Sequence, residues 1–100
     1  MSGGGGEEDA AQPIIVDDGR REGDLERYSV RVAGRTFNVS VSDAHARQLA
    51  PTAAHRDLVR ESFAFLLEHE PVSSILATFD LTVIARYFPG YPEAMRRRCR

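Results

Sequence analysis

The stretch YSVRVAGRTFNVSV, residues 28–41, constrains the fold of this chain more than any other feature. Its apolar and polar side chains alternate with a period of two, which is typical of a β-strand with one buried face. Gly34 lies in the middle, where a two-residue hairpin loop needs a positive φ. With Gly34 and Arg35 as the loop, Val32 faces Phe37. The pattern therefore predicts a β-hairpin with one wholly apolar face.

Two helices are predicted after the hairpin. Ser42 is a favoured N-cap residue type, and Pro51 ends the first helix within about two turns. Thr52 is expected to cap the second helix, which contains HRDLVRESFAFLLEHE. Residues placed at intervals of 100° put its apolar side chains on an arc of about 200°. Because one sheet face cannot cover so wide an arc, we expect this helix to lie between the hairpin and a later element.

The segment FDLTVIARYFPGY, residues 79–91, predicts a third helix that covers the second one. Asp80 is expected to be its N-cap, because a carboxylate can accept hydrogen bonds from the free amides of the first turn. Arg86 is expected on the solvent side, and Tyr91 in the Pro-Gly turn with its hydroxyl reaching water or a partner. The aromatic side chains expected in the core are those of Phe79, Tyr87 and Phe88.

The first 25 residues differ in composition from the rest of the chain. They contain Gly3–Gly6, an acidic cluster, and only one consecutive apolar group, IIV at residues 14–16. Too little apolar area is available to offset the entropy of ordering. We therefore expect a disordered Gly/acidic arm at residues 1–25 and a single small domain at residues 26–100, with docking of the IIV triplet as a short edge strand as the less favoured alternative.

Charge is divided along the chain in a similar way. Residues 1–26 hold eight acids and two arginines, a net charge of -6, whereas residues 27–100 hold eleven arginines and seven acids, a net charge of +4. An acidic arm is thus attached to a mildly basic body. We expect the arm either to stay disordered until it is bound or to fold back onto the basic body.

Features that direct a protein to or through a membrane are missing from the sequence. No run approaches the roughly 18 apolar residues of a membrane span, and MSGGGGEEDAAQ lacks the basic start and apolar segment of a secretory signal. We therefore expect a cytoplasmic protein that does not bind membranes. Cys99 is the single cysteine, which excludes an internal disulfide and agrees with a reducing compartment. We expect it to be an ordinary exposed thiol.

The sequence contains no motif for catalysis or for binding a metal or cofactor. Its three histidines, His45, His55 and His69, are not spaced as metal ligands with a cysteine or carboxylate pair. Neither a G-x-S-x-G elbow, nor a glycine-rich phosphate loop, nor a paired-carboxylate cleft is visible. We therefore expect a protein that is not an enzyme and has no cofactor.

The last nine residues, PEAMRRRCR, predict a terminal helix that begins near Pro92 and ends in arginines. Such a cluster can neutralise nucleic-acid phosphates, or it can oppose the dipole at the C-terminal end of a helix. We prefer the second interpretation, because no aromatic residue is interleaved with the arginines. The candidate partner contacts are Arg86 and Tyr91 together with Arg96, Arg97 and Arg98.

The segment RTFNVSVSDAHARQLAPTAAHRDLVRESFAFLLEHEP resembles the ribbon-helix-helix DNA-binding family. It has the same order of a strand with alternating polar residues, a short helix, a turn and a longer apolar helix. The resemblance implies a dimer whose outward strand residues read bases in the major groove. By position, those residues here are Thr36, Asn38 and Ser40. A dimeric DNA-binding protein or antitoxin-type repressor is therefore the alternative function.

Residues 28–92 are also similar to a family of small uncharacterised bacterial proteins. The similarity lies in the order of a V-x-V-x-G-R-x-F-x-V-x-V hairpin, LVRESFAFLLEHEP and a closing SIL-x-x-FDLTVIARYFPGY block. It implies a recurrent bacterial domain without an assigned activity. The resemblance supports the architecture and leaves the function open.

Together these features predict an α+β fold, with an N-terminal β-hairpin packed on a small bundle of three to four helices and preceded by the disordered acidic arm. The leading function is a non-enzymatic protein-interaction or regulatory module with an unknown protein partner. A nucleic acid is the less favoured partner, and the chain is expected to be a monomer or a homodimer.

Overall fold

The computed structural model describes residues 13–99, and residues 1–12 of the predicted arm lie outside it. In chain order the elements are β1 (Ile15–Val16), β2 (Arg20–Glu22), β3 (Leu25–Val32), β4 (Arg35–Ser42), α1 (Asp43–Leu49), α2 (His55–His69), a 3₁₀ turn (Val72–Ser74), β5 (Thr78–Asp80), α3 (Thr82–Tyr87) and α4 (Tyr91–Arg98). The strands form one mixed sheet in the order β1-β3-β4-β5, and β2 pairs with β3 on the same side as β1. The predicted α+β class is confirmed.

The hairpin of β3 and β4 is confirmed, but its loop is not the predicted one. Val32 pairs with Arg35, so the loop is Ala33-Gly34. Both loop residues have positive φ, 53° and 78°, as a type I′ turn requires. The pairing differs from the prediction by two residues, which leaves each side chain on its predicted face because strand side chains alternate with a period of two. The inner face consists of buried residues Tyr28, Val30, Val32, Phe37, Val39 and Val41.

The prediction of a disordered arm is wrong for residues 13–25, which add β1 and β2 to the sheet. Val16 is buried against the core. The Asp17 carboxylate accepts from the amides of Gly19 and Ser29, at 3.0 Å each. Pairing with β3 and these side-chain bonds satisfy the backbone of a segment that has little apolar area of its own.

Gly19 allows the link between β1 and β2 to pass close to the ring of Tyr28. Its φ is +79°, and a Cβ added there would lie 2.4 Å from Cε2 of Tyr28. Both the backbone conformation and the contact therefore require glycine. The ring of Tyr28 stays buried beneath this segment.

The predicted cap of α1 is confirmed and that of α2 is wrong. Ser42 Oγ accepts from the amide of His45 at 3.1 Å, and α1 ends shortly before Pro51. The N-cap of α2 is Ala54 rather than Thr52, and no side chain caps the helix. Instead, the Ala54 carbonyl accepts the first helical amide bonds.

Helix α2 is central, as its wide apolar arc predicts. It packs against the sheet on one side and mainly against α4 on the other, so the prediction that the helix in residues 79–91 is its second cover is wrong. The Phe63 ring lies 5.3 Å from the Phe37 ring and 5.9 Å from the Phe79 ring, measured between centroids. The buried residues of α2 are Leu58, Val59, Ser62, Phe63, Phe65 and Leu66.

Asp80 joins β5 to the start of α3. Its Oδ2 accepts from the amide of Thr82 at 3.0 Å and from the hydroxyl of Thr82 at 2.7 Å. The predicted bond from this carboxylate to the first turn is thus present, although Leu81 is the residue directly before the helix. Asp80 also belongs to a strand parallel to β4, which the sequence pattern did not indicate.

Candidate functional site

Tyr91 is in the core, so the prediction that its hydroxyl reaches water or a partner is wrong. Its side chain is 0% exposed, and its hydroxyl oxygen lies 2.7 Å from Ser62 Oγ. Its ring centroid is 5.6 Å from that of Phe65. One feature of the sequence could have indicated that Tyr91 is buried. Ser62 places a hydroxyl on the apolar arc of α2, where it can bond to another buried hydroxyl.

The predicted arginine contacts fall into two groups. Arg86, Arg96 and Arg97 are exposed and stay predictions as partner contacts. Arg98 instead donates to Glu68 Oε1 at 2.7 Å, and its guanidinium carbon lies 5.7 Å from the centroid of the Phe65 ring. The Arg98 side chain therefore ties α4 to α2.

The residues expected to read DNA do not share one exposed surface. Thr36 and Asn38 are exposed, but Ser40 is buried and donates to Asp80 Oδ1 at 2.6 Å. The prediction that Ser40 is exposed to read bases is therefore wrong. Moreover, β4 lies between β3 and β5, so it has no free edge at Asn38–Ser40 for pairing across a dimer.

Cys99 is buried at the end of α4, so its prediction as an exposed thiol is wrong. Burial raises the pKa of this thiol, which reduces the thiolate fraction and hence its reactivity. Within residues 13–99, no group of three or more His, Cys, Asp or Glu side chains is arranged to hold a metal ion.

A polar cluster lies where β2, β3, α1 and α2 meet. His55 Nδ1 is 2.8 Å from Glu26 Oε1, and His55 Nε2 is 3.9 Å from Asp43 Oδ1. Tyr28 donates to Glu26 at 2.6 Å, and Arg21 donates to both Asp43 oxygens at 3.0 and 3.1 Å. The Tyr28 bond lowers the pKa of Glu26, and the Arg21 bond lowers that of Asp43. These contacts join β2, β3, α1 and α2 through one polar cluster.

An apolar groove with a volume of about 250 Å³ lies between α3 and the chain that leads into β5. Leu76 and Phe79 line one side, and Val83, Tyr87 and Phe88 line the other. Phe88 is partly buried and packs edge-on against Phe65 of α2. The groove is therefore an opening in the apolar cover of α2.

Two large apolar side chains at this groove are exposed, Leu76 at 54% and Tyr87 at 70%. In residues 13–99, Ile15 on β1 is the only other large apolar side chain that is exposed. The prediction that Tyr87 lies in the core is wrong, because α3 has only six residues and buries only Ile84. The exposed apolar area is thus concentrated at one place.

An open strand edge lies beside the groove. β5 is the last strand of the sheet, and among the described strands only β4 pairs with it. The Ala77 carbonyl and the Leu81 amide both bond to β4. Since the backbone groups of a strand alternate in direction, those of Thr78 and Asp80 point to the open edge.

Comparisons of the chain with protein-family models, with curated proteins and with solved structures found no match. In the part of the chain that the structure describes, every helix is too short or too polar to cross a membrane. The groove and the β5 edge are therefore interpreted from their geometry and chemistry alone.

Proposed function

We propose that this protein is a non-enzymatic protein-interaction module that binds an extended segment of a partner protein along β5. The observation that carries the proposal is the position of an apolar groove directly beside an open strand edge. Recognition by strand addition uses main-chain hydrogen bonds for affinity and pockets for alternate side chains for specificity. The open edge of β5 offers the main-chain groups, and the groove beside it offers the pocket.

The main-chain part of the interaction falls on Thr78 and Asp80. Each presents one amide donor and one carbonyl acceptor toward the open edge. These two residues are separated by Phe79, whose backbone faces β4 and whose side chain lines the groove. A partner strand that bonds to this edge therefore places every second side chain on the groove side of the sheet.

The apolar part of the interaction falls on Leu76 and Tyr87. Covering them removes apolar surface from water, at about 25 cal/mol per Å². Exposed aromatic side chains next to a pocket are frequent centres of binding energy. Glu70 is the one charged residue that lines the groove. The favoured partner is therefore an extended segment with apolar residues at every second position and no acidic residue on that face.

Selection of displayed random peptides on the full-length protein, followed by NMR titration of the best binder, tests the proposal. The selected peptides are expected to alternate apolar and polar residues. Binding is expected to slow hydrogen exchange at the amides of Thr78 and Asp80. The Leu81 amide already bonds to β4, so its exchange is expected to change less.

Tyr87→Ala and Ile15→Ala form a matched pair of variants, because each removes an exposed apolar side chain. Tyr87→Ala is expected to weaken peptide binding by about tenfold or more. Ile15→Ala, at the opposite edge of the sheet, is expected to leave it unchanged. The proposal would be contradicted if both variants bound the peptide with equal affinity. It would also be contradicted if the peptide slowed amide hydrogen exchange only in β1.

DNA binding through a two-chain ribbon is not proposed, because β4 has a strand on each side. The cytoplasmic location and the bacterial origin stay predictions from the sequence. Docking of the acidic arm also stays a prediction, since Glu7, Glu8 and Asp9 lie outside the described residues.

A further inference from the structure

We infer that two copies of this chain pair through their β5 edges about a twofold axis, so that each copy closes the groove of the other. The inference rests on the proposed function, because it concerns the same groove. It states that a second copy of the chain occupies this groove when no partner is bound. A twofold interface requires a patch that is complementary to itself. Three properties of the β5 patch meet that requirement.

The first property is the direction of the backbone groups. In an antiparallel pair, a residue whose amide and carbonyl both face the partner exchanges both bonds with the residue opposite. Thr78 and Asp80 have this orientation, and Phe79 lies between them. With the twofold axis at Phe79, Thr78 of each copy lies opposite Asp80 of the other. The two open edges therefore match in register.

The second property is the absence of like charges at the axis. In a pair of identical antiparallel strands, only the residue on the axis faces itself. That residue is Phe79, which is apolar, and each Asp80 carboxylate faces a threonine. Like charges directly opposite would destabilise the pair. The formal net charge of the whole chain is only -2, so repulsion between copies is also small.

The third property is that one patch supplies both protruding side chains and a groove. Leu76 and Tyr87 are exposed and also line the groove. Leu76 precedes β5 by two residues and Thr82 follows it by two, so the antiparallel pairing brings the Leu76 end of one strand to the Thr82 end of the other. Thr82 is the first residue of α3, the helix that forms one wall of the groove. Leu76 of each copy therefore approaches the groove of the other.

Sedimentation equilibrium of the full-length protein over a range of concentrations tests the inference. The wild-type protein is expected to form a dimer. Thr78→Pro removes an amide donor that points away from β4, and edge strands accept proline at such positions. Tyr87→Arg places a charge in the patch without changing the strand. Each variant is expected to raise the dimer dissociation constant by about tenfold or more, which corresponds to about 1.4 kcal/mol.

Ile15→Arg is the matched control for Tyr87→Arg, since it introduces the same charge at the opposite edge and is expected to leave the dimer intact. A wild-type protein that stays monomeric, or a dimer that resists both Thr78→Pro and Tyr87→Arg, would overturn the inference. A selected peptide is expected to convert the dimer into monomeric complexes. A peptide that binds the Thr78–Asp80 edge of a monomeric wild-type protein would overturn the pairing and leave the proposed function standing.

Discussion

The hydroxyl oxygens of Tyr91 and Ser62 lie 2.7 Å apart inside the core, where α4 packs against α2. Both side chains are 0% exposed. Ser62 Oγ also lies 2.7 Å from the carbonyl of Leu58. Since a serine hydroxyl has one proton, Ser62 donates to Leu58 and accepts from Tyr91. Burial raises the pKa of Tyr91, so its hydroxyl stays a donor.

This relationship predicts an order of stabilities. Ser62→Ala leaves the Tyr91 hydroxyl buried without a partner and is expected to cost about 1–3 kcal/mol of unfolding free energy. Tyr91→Phe leaves Ser62 bonded to Leu58 and is expected to cost about 0.5–1.5 kcal/mol. The double variant is expected to lose less than the sum of the two. Urea unfolding measures all three, and a larger cost for Tyr91→Phe than for Ser62→Ala would contradict the assignment.

Gly19 and Gly23 separate the effect of backbone conformation from that of a steric contact. Both have positive φ, +79° and +64°, but a Cβ at Gly19 meets the Tyr28 ring whereas a Cβ at Gly23 meets nothing within 4 Å. Gly23→Ala is expected to cost about 1 kcal/mol. Gly19→Ala is expected to cost about 1–3 kcal/mol more, because the ring must move. Thermal unfolding compares the two variants. Equal losses of stability would show that the contact between Gly19 and the Tyr28 ring is not tight.

Glu26 is expected to make stability depend on acid pH. Its pKa is lowered in the folded protein, first by the hydrogen bond from Tyr28. A lowered pKa stabilises the fold above the ordinary value of 4.5, and the contribution is lost as the pH falls through the lower folded value. The stability difference between the wild type and Glu26→Gln is therefore expected to shrink below pH 4.5. Tyr28→Phe is expected to weaken this acid dependence. Denaturant unfolding from neutral to acid pH measures the stability of each protein. If the stabilities of the wild type and Glu26→Gln fall in parallel with pH, the prediction is contradicted.

Arg98 and Arg97 are neighbours on α4 with different surroundings. Arg98 pairs with Glu68 and lies over the Phe65 ring, and its side chain is 27% exposed. Arg98→Ala is expected to cost about 0.5–1 kcal/mol, in part through the contact with the ring. Arg97→Ala is expected to stay within about 0.5 kcal/mol of the wild type. Urea unfolding at low and high salt compares them, and equal stabilities would argue against the Arg98 contacts.

The elements predicted correctly depend on residues close together in the chain. The alternation of residues 28–41 and the wide apolar arc of α2 each appear within one segment. The cap at Ser42 needs only the amide of His45. Such interactions are set by backbone geometry and side-chain type, so a sequence pattern is enough to predict them.

The candidate site depends on contacts between distant segments. Strand β5 has three residues and pairs with β4 about 40 positions earlier, through the bond between Ser40 and Asp80 among others. A strand this short carries no alternation that a sequence pattern can reveal. The open edge and the groove beside it could therefore be recognised only after β4 and β5 were placed side by side.

Tyr87 and Tyr91 show most clearly what the sequence by itself determined and what only the tertiary structure decided. The sequence determined that a helix ends before the Pro89-Gly90 turn and that another begins after it, because proline and glycine interrupt regular hydrogen bonding. It did not determine which tyrosine is buried. Tyr91 lies in the core because Ser62 of α2 provides a partner for its hydroxyl, whereas Tyr87 is left exposed because the short helix α3 does not bring it against α2. Burial of a polar aromatic side chain depends on a distant hydrogen-bond partner, and only the tertiary structure supplies one.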